Sequence, residues 1–159
     1  MSRNIKVEVN SIRLEESSEN PILLLLDPNS QKVLPIWIGT IEAVSIAYAQ
    51  EGILHERPQT HDLLINIVEA LDGTINEVNI SNIEGDTYYA QIILNTINGL
   101  VTLSSRPSDA IAIALRSNIP VTVNEEVFQT NSIDLIVDTS NEIEEFKEFI
   151  NDIKPEDFS

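Results

Sequence analysis

The chain has 159 residues, 42% of them hydrophobic, a size and composition that fit one compact domain with a real core. It holds no cysteine, which excludes disulfides and thiolate metal sites, and no uninterrupted apolar run long enough for a signal peptide or a bilayer span, so a cytoplasmic protein without a membrane partner is expected. The formal charge of −17, from 9 basic and 26 acidic residues, disfavours DNA or RNA as a partner unless folding concentrates a few scattered cations, because no basic stripe is present.

Ile5, Val7 and Val9 alternate with polar residues in a first strand that continues past Ser11 with a shift of face towards Ile12 and Leu14. After a polar loop from Glu15 to Asn20, Ile22 to Leu26 is continuously apolar, as in a strand covered on both faces. Asp27-Pro28-Asn29-Ser30 turns the chain, and Val33 to Ile38 returns as a hairpin partner. Ile41 to Gln50 then reads as a helix with Glu42 in its first turn and Gly52 as its stop. A second helix from Thr60 to Leu71 places Leu63, Leu64, Ile67, Val68 and Leu71 at three- and four-residue steps and ends at Gly73.

Thr74 to Ile83, Thr87 to Thr96 and Leu100 to Leu103 form a meander, the last turn carried by Asn98-Gly99. Ala110 to Leu115 is a helix apolar nearly all round and therefore interior. Ile119 to Val123 reads as a short strand, and Asn124 to Val127 as a capped helical turn. Asn141 to Ile153 has the spacing of an amphipathic helix whose acidic residues form a wet face, followed by a terminal tail.

Two copies of one signature carry the chemistry: Arg57-Pro58-Gln59-Thr60-His61-Asp62 and, 49 residues later, Arg106-Pro107-Ser108-Asp109. The repetition reads either as an internal duplication or as a repeated local solution. In each, a guanidinium precedes a proline, a hydroxyl and a carboxylate at an apparent helix start, where outward N–H groups welcome negative charge. Proline suits a first helical position, Thr60 or Ser108 can cap, and Asp62 and Asp109 favour the positive end of the dipole, all without function.

In the structural reading, Arg57 and Arg106 pair with Asp109 and Asp62 as partly buried bridges. In the functional reading the two helix starts converge, so that Arg57 and Arg106 clamp an anionic oxygen and Thr60 and Ser108 add substrate contacts. His61 is then a general base or acid, and Asp62, Asp109 and Glu42 hold Mg²⁺ or Mn²⁺. His55 reads as solvated rather than as a metal ligand, and Trp37 as structural rather than as a base-stacking platform.

Three blocks, Leu34 to Ala43, Arg57 to Leu63 and Arg106 to Arg116, together resemble the bifunctional nuclease family, and the similarity runs from the first strand to the Pro-Glu-Asp-Phe tail. The resemblance implies an α+β domain in which a mixed, mainly antiparallel β-sheet packs with about four helices. It also implies self-association as a homodimer, and the DNase and RNase activity shown for some members. The family-like domain then occupies residues 1–140, with 141–159 as an amphipathic helix and tail of the same domain. One departure is Ser104, at a place where relatives often have an acid. The leading expectation is a metal-assisted nuclease acting on DNA or RNA; the competing class is a non-enzymatic binding or assembly module with structural Arg-Asp pairs and an acidic protein-interaction surface.

Overall fold

The protein is described by a computed structural model over residues 3–14 and 20–135. Its first strand, β1 (Asn4–Leu14), changes neighbours halfway: Asn4 to Val7 pair with β7 (Val121–Asn124), and Glu8 to Leu14 pair with β2 (Pro21–Asp27). The register shifts between Val9 and Ser11, so Asn10 is an extra residue and the buried positions change parity along the sequence, from Val7 to Ile12, while both stay on one face of the sheet. This is the break in alternation that the sequence pattern predicts.

Leu23, Leu24 and Leu25 of β2 are all buried, as a strand covered on both sides requires. Asp27 closes the following turn by accepting from the Asn29 N–H at 3.0 Å and the Ser30 hydroxyl at 2.9 Å, and β3 (Lys32–Trp37) returns antiparallel. Two helices follow, α1 (Thr40–Gln50) and α2 (Thr60–Ala70), and then the meander β4 (Thr74–Glu84), β5 (Thr87–Thr96) and β6 (Gly99–Ser105). Gly99 at the last turn has φ +106°, a conformation that favours glycine. Helix α3 (Pro107–Ser117) crosses back to β7, which runs parallel to β4. Asn124 caps α4 (Glu125–Asn131) by accepting from the N–H groups of Glu126 and Val127, and β8 (Ile133–Asp134) pairs with β3.

Among the described residues the eight strands make one sheet in the order β6-β5-β4-β7-β1-β2-β3-β8, antiparallel except at β4–β7, and with four helices this is the expected mixed α+β fold. β8 was not anticipated by the sequence pattern, being too short to show a period. The amphipathic helix and tail expected at 141–159, and residues 15–19 of the loop expected from Glu15 to Asn20, lie outside the described residues. Among those described, no helix is long and apolar enough to cross a membrane.

The core positions α3 firmly. Ala110, Ile111, Ala112, Ile113 and Ala114 are all buried, and α3 packs on α1, α2, β4 and β5. Each fully buried isoleucine there contributes about 1.5–3 kcal/mol relative to an exposed one. Helix α2 differs: among the described residues His61 is its one buried residue, Ile65 is half-buried, and of the predicted apolar stripe Val68 is half-buried while Leu63, Leu64, Ile67 and Leu71 are exposed. The helical period was right, but the covered face is the one through His61, Ile65 and Val68.

Candidate functional site

An open cleft of about 380 Å³ lies between α1, α2 and α3, lined by Ile41, Glu42, Val44, Ser45 and Tyr48 from the first, Gln59, Thr60 and His61 at the start of the second, and Arg106, Asp109 and Arg116 from the third. Its polar groups form one connected chain. At its inner end is Arg116, whose side chain, like that of His61, is only 10% exposed. Its Nε donates to Asp62 Oδ1 at 2.8 Å, Nη1 to the Ala112 carbonyl at 3.0 Å, and Nη2 to both the carbonyl and Oγ of Ser45 at 3.1 Å each. A buried cation needs such saturation, because an unpaired one is costly to remove from water.

From Ser45 the chain continues to His61, with Oγ 2.7 Å from Nδ1, and from His61 Nε2 to Asp109 Oδ1 at 2.8 Å. Asp109 also receives a two-point contact from Arg106, from Nε at 2.8 Å and Nη2 at 3.1 Å, while Arg106 Nη1 donates to Glu42 Oε1 at 3.0 Å. Burial works to raise the Asp109 carboxyl, but hydrogen bonds from Arg106 and His61 and the charges behind them outweigh it and hold Asp109 below its ordinary range. The hydrogen bonds that Arg106 donates to Asp109 and then to Glu42 push its guanidinium further up.

These charges fix the tautomer. An ionised Asp109 only accepts, so His61 Nε2 carries the proton and donates; in the neutral ring Nδ1 then accepts, and the Ser45 hydroxyl donates to it. Glu42 takes its place because Gly39 leaves room, since a Cβ on Gly39 would overlap the Glu42 carboxylate.

Five of the sequence-derived residues therefore meet: Glu42, Thr60, His61, Arg106 and Asp109. Arg57 does not join them. It is exposed, outside the cleft lining, and without a hydrogen bond or ion pair among the described residues; the second guanidinium of the cleft is Arg116. The cause is helix phase. Arg106 is itself the N-cap of α3 with Pro107 at the first helical position, whereas α2 is capped at Gln59, which leaves Pro58 outside the helix and Arg57 beyond it. The expected pairing is corrected accordingly: Arg106 binds Asp109, and Asp62 binds Arg116.

Thr60 and Ser108 were expected to cap, but neither helix has a side-chain cap from them; Asp62 Oδ2 instead accepts from the Gln59 N–H at 2.9 Å. Ser108 is buried on the far side of Arg106, where a second hollow of about 320 Å³ is lined by Trp37, Gly39, Tyr88, Pro107 and Ser108 and shares Glu42 and Arg106 with the first. Trp37 is 54% exposed there rather than packed in the core, and burial pushes the Tyr88 phenol up. His55 packs edge-on against Tyr48, ring centres 4.8 Å apart.

The three carboxylates expected to hold Mg²⁺ or Mn²⁺ do not gather. Glu42 and Asp109 are both engaged by Arg106, Asp62 turns away to Arg116, and no group of three metal-ligating side chains occurs among the described residues. This donor set does not fit a hard cation, which needs several converging oxygens.

Ser45 and Arg116 escaped the sequence reading as site residues. The available signals were weak: Ser45 lies three residues after Glu42, hence on the same helical face, and Arg116 is a lone cation ending an interior helix.

Comparison with known proteins gives a consistent set of matches. The family model described as the bifunctional nuclease domain matches residues 23–135, which include every residue of the cleft. An uncharacterised protein of Mycobacterium tuberculosis is 39% identical over 163 aligned residues, covering 96% of this chain and 97% of that protein. Bifunctional nuclease 1 of Oryza sativa subsp. japonica is 27% identical over 82% of this chain and 41% of its own length. Bifunctional nuclease 1 of Arabidopsis thaliana is 25% identical over 72% of this chain and 36% of its own length. The chain thus spans about two-fifths of these plant relatives.

Proposed function

The chain belongs to the bifunctional nuclease domain family, and on that premise we propose that the cleft between α1, α2 and α3 hydrolyses phosphodiesters of DNA or RNA. The observation that carries this reading is the hydrogen-bonded run Ser45–His61–Asp109–Arg106, which ends in a guanidinium whose side chain is 64% exposed at the cleft mouth. Arg106 binds the phosphate. Three of its five N–H donors are engaged, leaving two for phosphate oxygens. Its contact with Glu42 is a partly exposed ion pair worth about 0–1 kcal/mol, so a phosphate oxygen can displace that carboxylate.

His61 moves the proton, held in one tautomer by Asp109. The hollow beyond Arg106, with Trp37 and Tyr88 in its wall, receives the base next to the bound phosphate. Because the net charge of −17 opposes long-range attraction of a polyanion, the substrates on this reading are single strands or short oligonucleotides that bind through local contacts. No step passes through a metal ion.

Self-association belongs to the same reading, supported by the uncovered apolar stripe on α2. Light scattering at micromolar concentration gives a dimer; a monomer alone contradicts this part. The activity is tested with purified protein on single-stranded DNA and RNA, with Mg²⁺, Mn²⁺ or chelator, beside His61→Ala and Arg106→Ala. Cleavage that survives chelation and falls in both variants supports the reading. Cleavage indifferent to both substitutions overturns it, and loss in chelator returns a metal ion to the mechanism.

A further inference from the structure

Ser45 has more attention from its neighbours than a structural hydroxyl on a helix requires. Such a hydroxyl is ordinarily satisfied by one local backbone carbonyl. Here Oγ accepts from a buried guanidinium, Arg116 Nη2, at 3.1 Å and donates to His61 Nδ1 at 2.7 Å. One lone pair remains, and Ser45 lines the open cleft. A cation at the oxygen favours negative charge developing on it, and a base at its proton removes the obstacle to that charge.

We propose that Ser45 is the nucleophile of the cleft, attacking phosphorus to form a phosphoseryl intermediate. The inference rests on the phosphodiester reading above for its substrate but not for its chemistry. Ser, His and Asp stand in the order of a nucleophile, a base and the group that orients the base, with the two ring nitrogens exchanged relative to the serine-protease arrangement.

The atoms balance over two displacements. In the first, the Oγ–P bond forms while the Ser45 proton passes to His61 Nδ1; the opposite P–O bond breaks, and the departing oxygen keeps the electron pair and takes a proton from solvent water, leaving hydroxide. In the second, that hydroxide attacks phosphorus from the vacated side, and the Oγ–P bond breaks. Ser45 Oγ keeps the electron pair and recovers its proton from His61 Nδ1. His61 thus acts as base and then as acid at one oxygen, which is the geometry that in-line attack at phosphorus allows. Arg106, exposed at the cleft mouth, holds the phosphate oxygens through both displacements.

The test combines trapping with turnover. Wild-type protein is incubated with diisopropyl fluorophosphate, which loses fluoride to a nucleophilic serine, and the modified peptide is mapped by mass spectrometry; cleavage of single-stranded DNA and RNA is measured in parallel for wild type and Ser45→Ala. The expected result is one phosphoryl group, on Ser45, appearing at least about 100-fold more slowly in His61→Ala, with cleavage by Ser45→Ala reduced by a similar factor. Cleavage by the wild type with Ser45 unlabelled and Ser45→Ala active within tenfold overturns the nucleophile while the phosphodiester reading stands. Labelling of Ser45 without cleavage of either nucleic acid upholds the nucleophile and overturns the substrate. Neither labelling nor cleavage removes both.

Discussion

Arg106 is the N-cap of α3, and Arg57 stands two residues ahead of the N-cap of α2, although both begin an Arg-Pro turn. That offset decides where each guanidinium goes. At α3 the side chain leaves from the helix end itself and reaches back to Asp109, three residues on; at α2 it leaves from the loop and meets solvent. The supporting helices differ as well. α3 is embedded along its length, so its first turn is a fixed platform, whereas α2 buries His61 and little else. The cleft draws its anchor from the first helix and one imidazole from the second.

If the platform is the buried helix, its core residues carry the largest effect. Ile111→Ala should destabilise the fold by about 2–5 kcal/mol in urea unfolding, while Asn66→Ala on the exposed side of α2 should stay within about 0.5 kcal/mol; comparable losses would erase the distinction between the helices. At the turns themselves, Arg106→Ala should lower kcat/KM for phosphodiester cleavage by about 100-fold or more, as expected for a charge-assisted contact in a catalytic site.

A pH titration separates the turns by charge. Asp109 is held below its ordinary range, so the stability it contributes is fully present above about pH 3.9 and is lost as pH falls through its lower folded value. Unfolding of Asp109→Asn should lack that acid limb; an unchanged limb would mean that other carboxylates carry it. A smaller change is expected at Glu42, where Glu42→Gln should lower KM about threefold by freeing Arg106 from a competing anion. Smallest of all, Arg57→Ala should leave kcat/KM within about twofold, as for a surface residue outside the cleft.

Much of this architecture was legible from residue patterns. The break in alternation near Asn10, the Asn98-Gly99 turn and the interior character of Ala110 to Leu115 follow from alternation, turn chemistry and composition, which are local properties. Glu42, Thr60, His61, Arg106 and Asp109 were legible because their residue types recur at helix starts. What escaped depends on phase and on distance along the chain. A two-residue difference in capping sent Arg57 outward, and no local pattern announces it. Ser45 and Arg116 are 71 residues apart and meet only because α1 packs on α3. The outward stripe on α2 has helical spacing whichever face is covered, so periodicity found the helix without saying which side would be buried.

On the proposed function, the imidazole joined to Ser45 and Asp109 does the chemistry while the solvent-facing guanidinium of Arg57 stands aside. Single-turnover cleavage of an end-labelled oligonucleotide in chelator, by wild type, His61→Ala and Arg57→Ala, separates the two. Equal rates are expected for wild type and Arg57→Ala, with a rate at least about 100-fold lower for His61→Ala. Equal rates for all three, or a loss confined to Arg57→Ala, would overturn the assignment of His61.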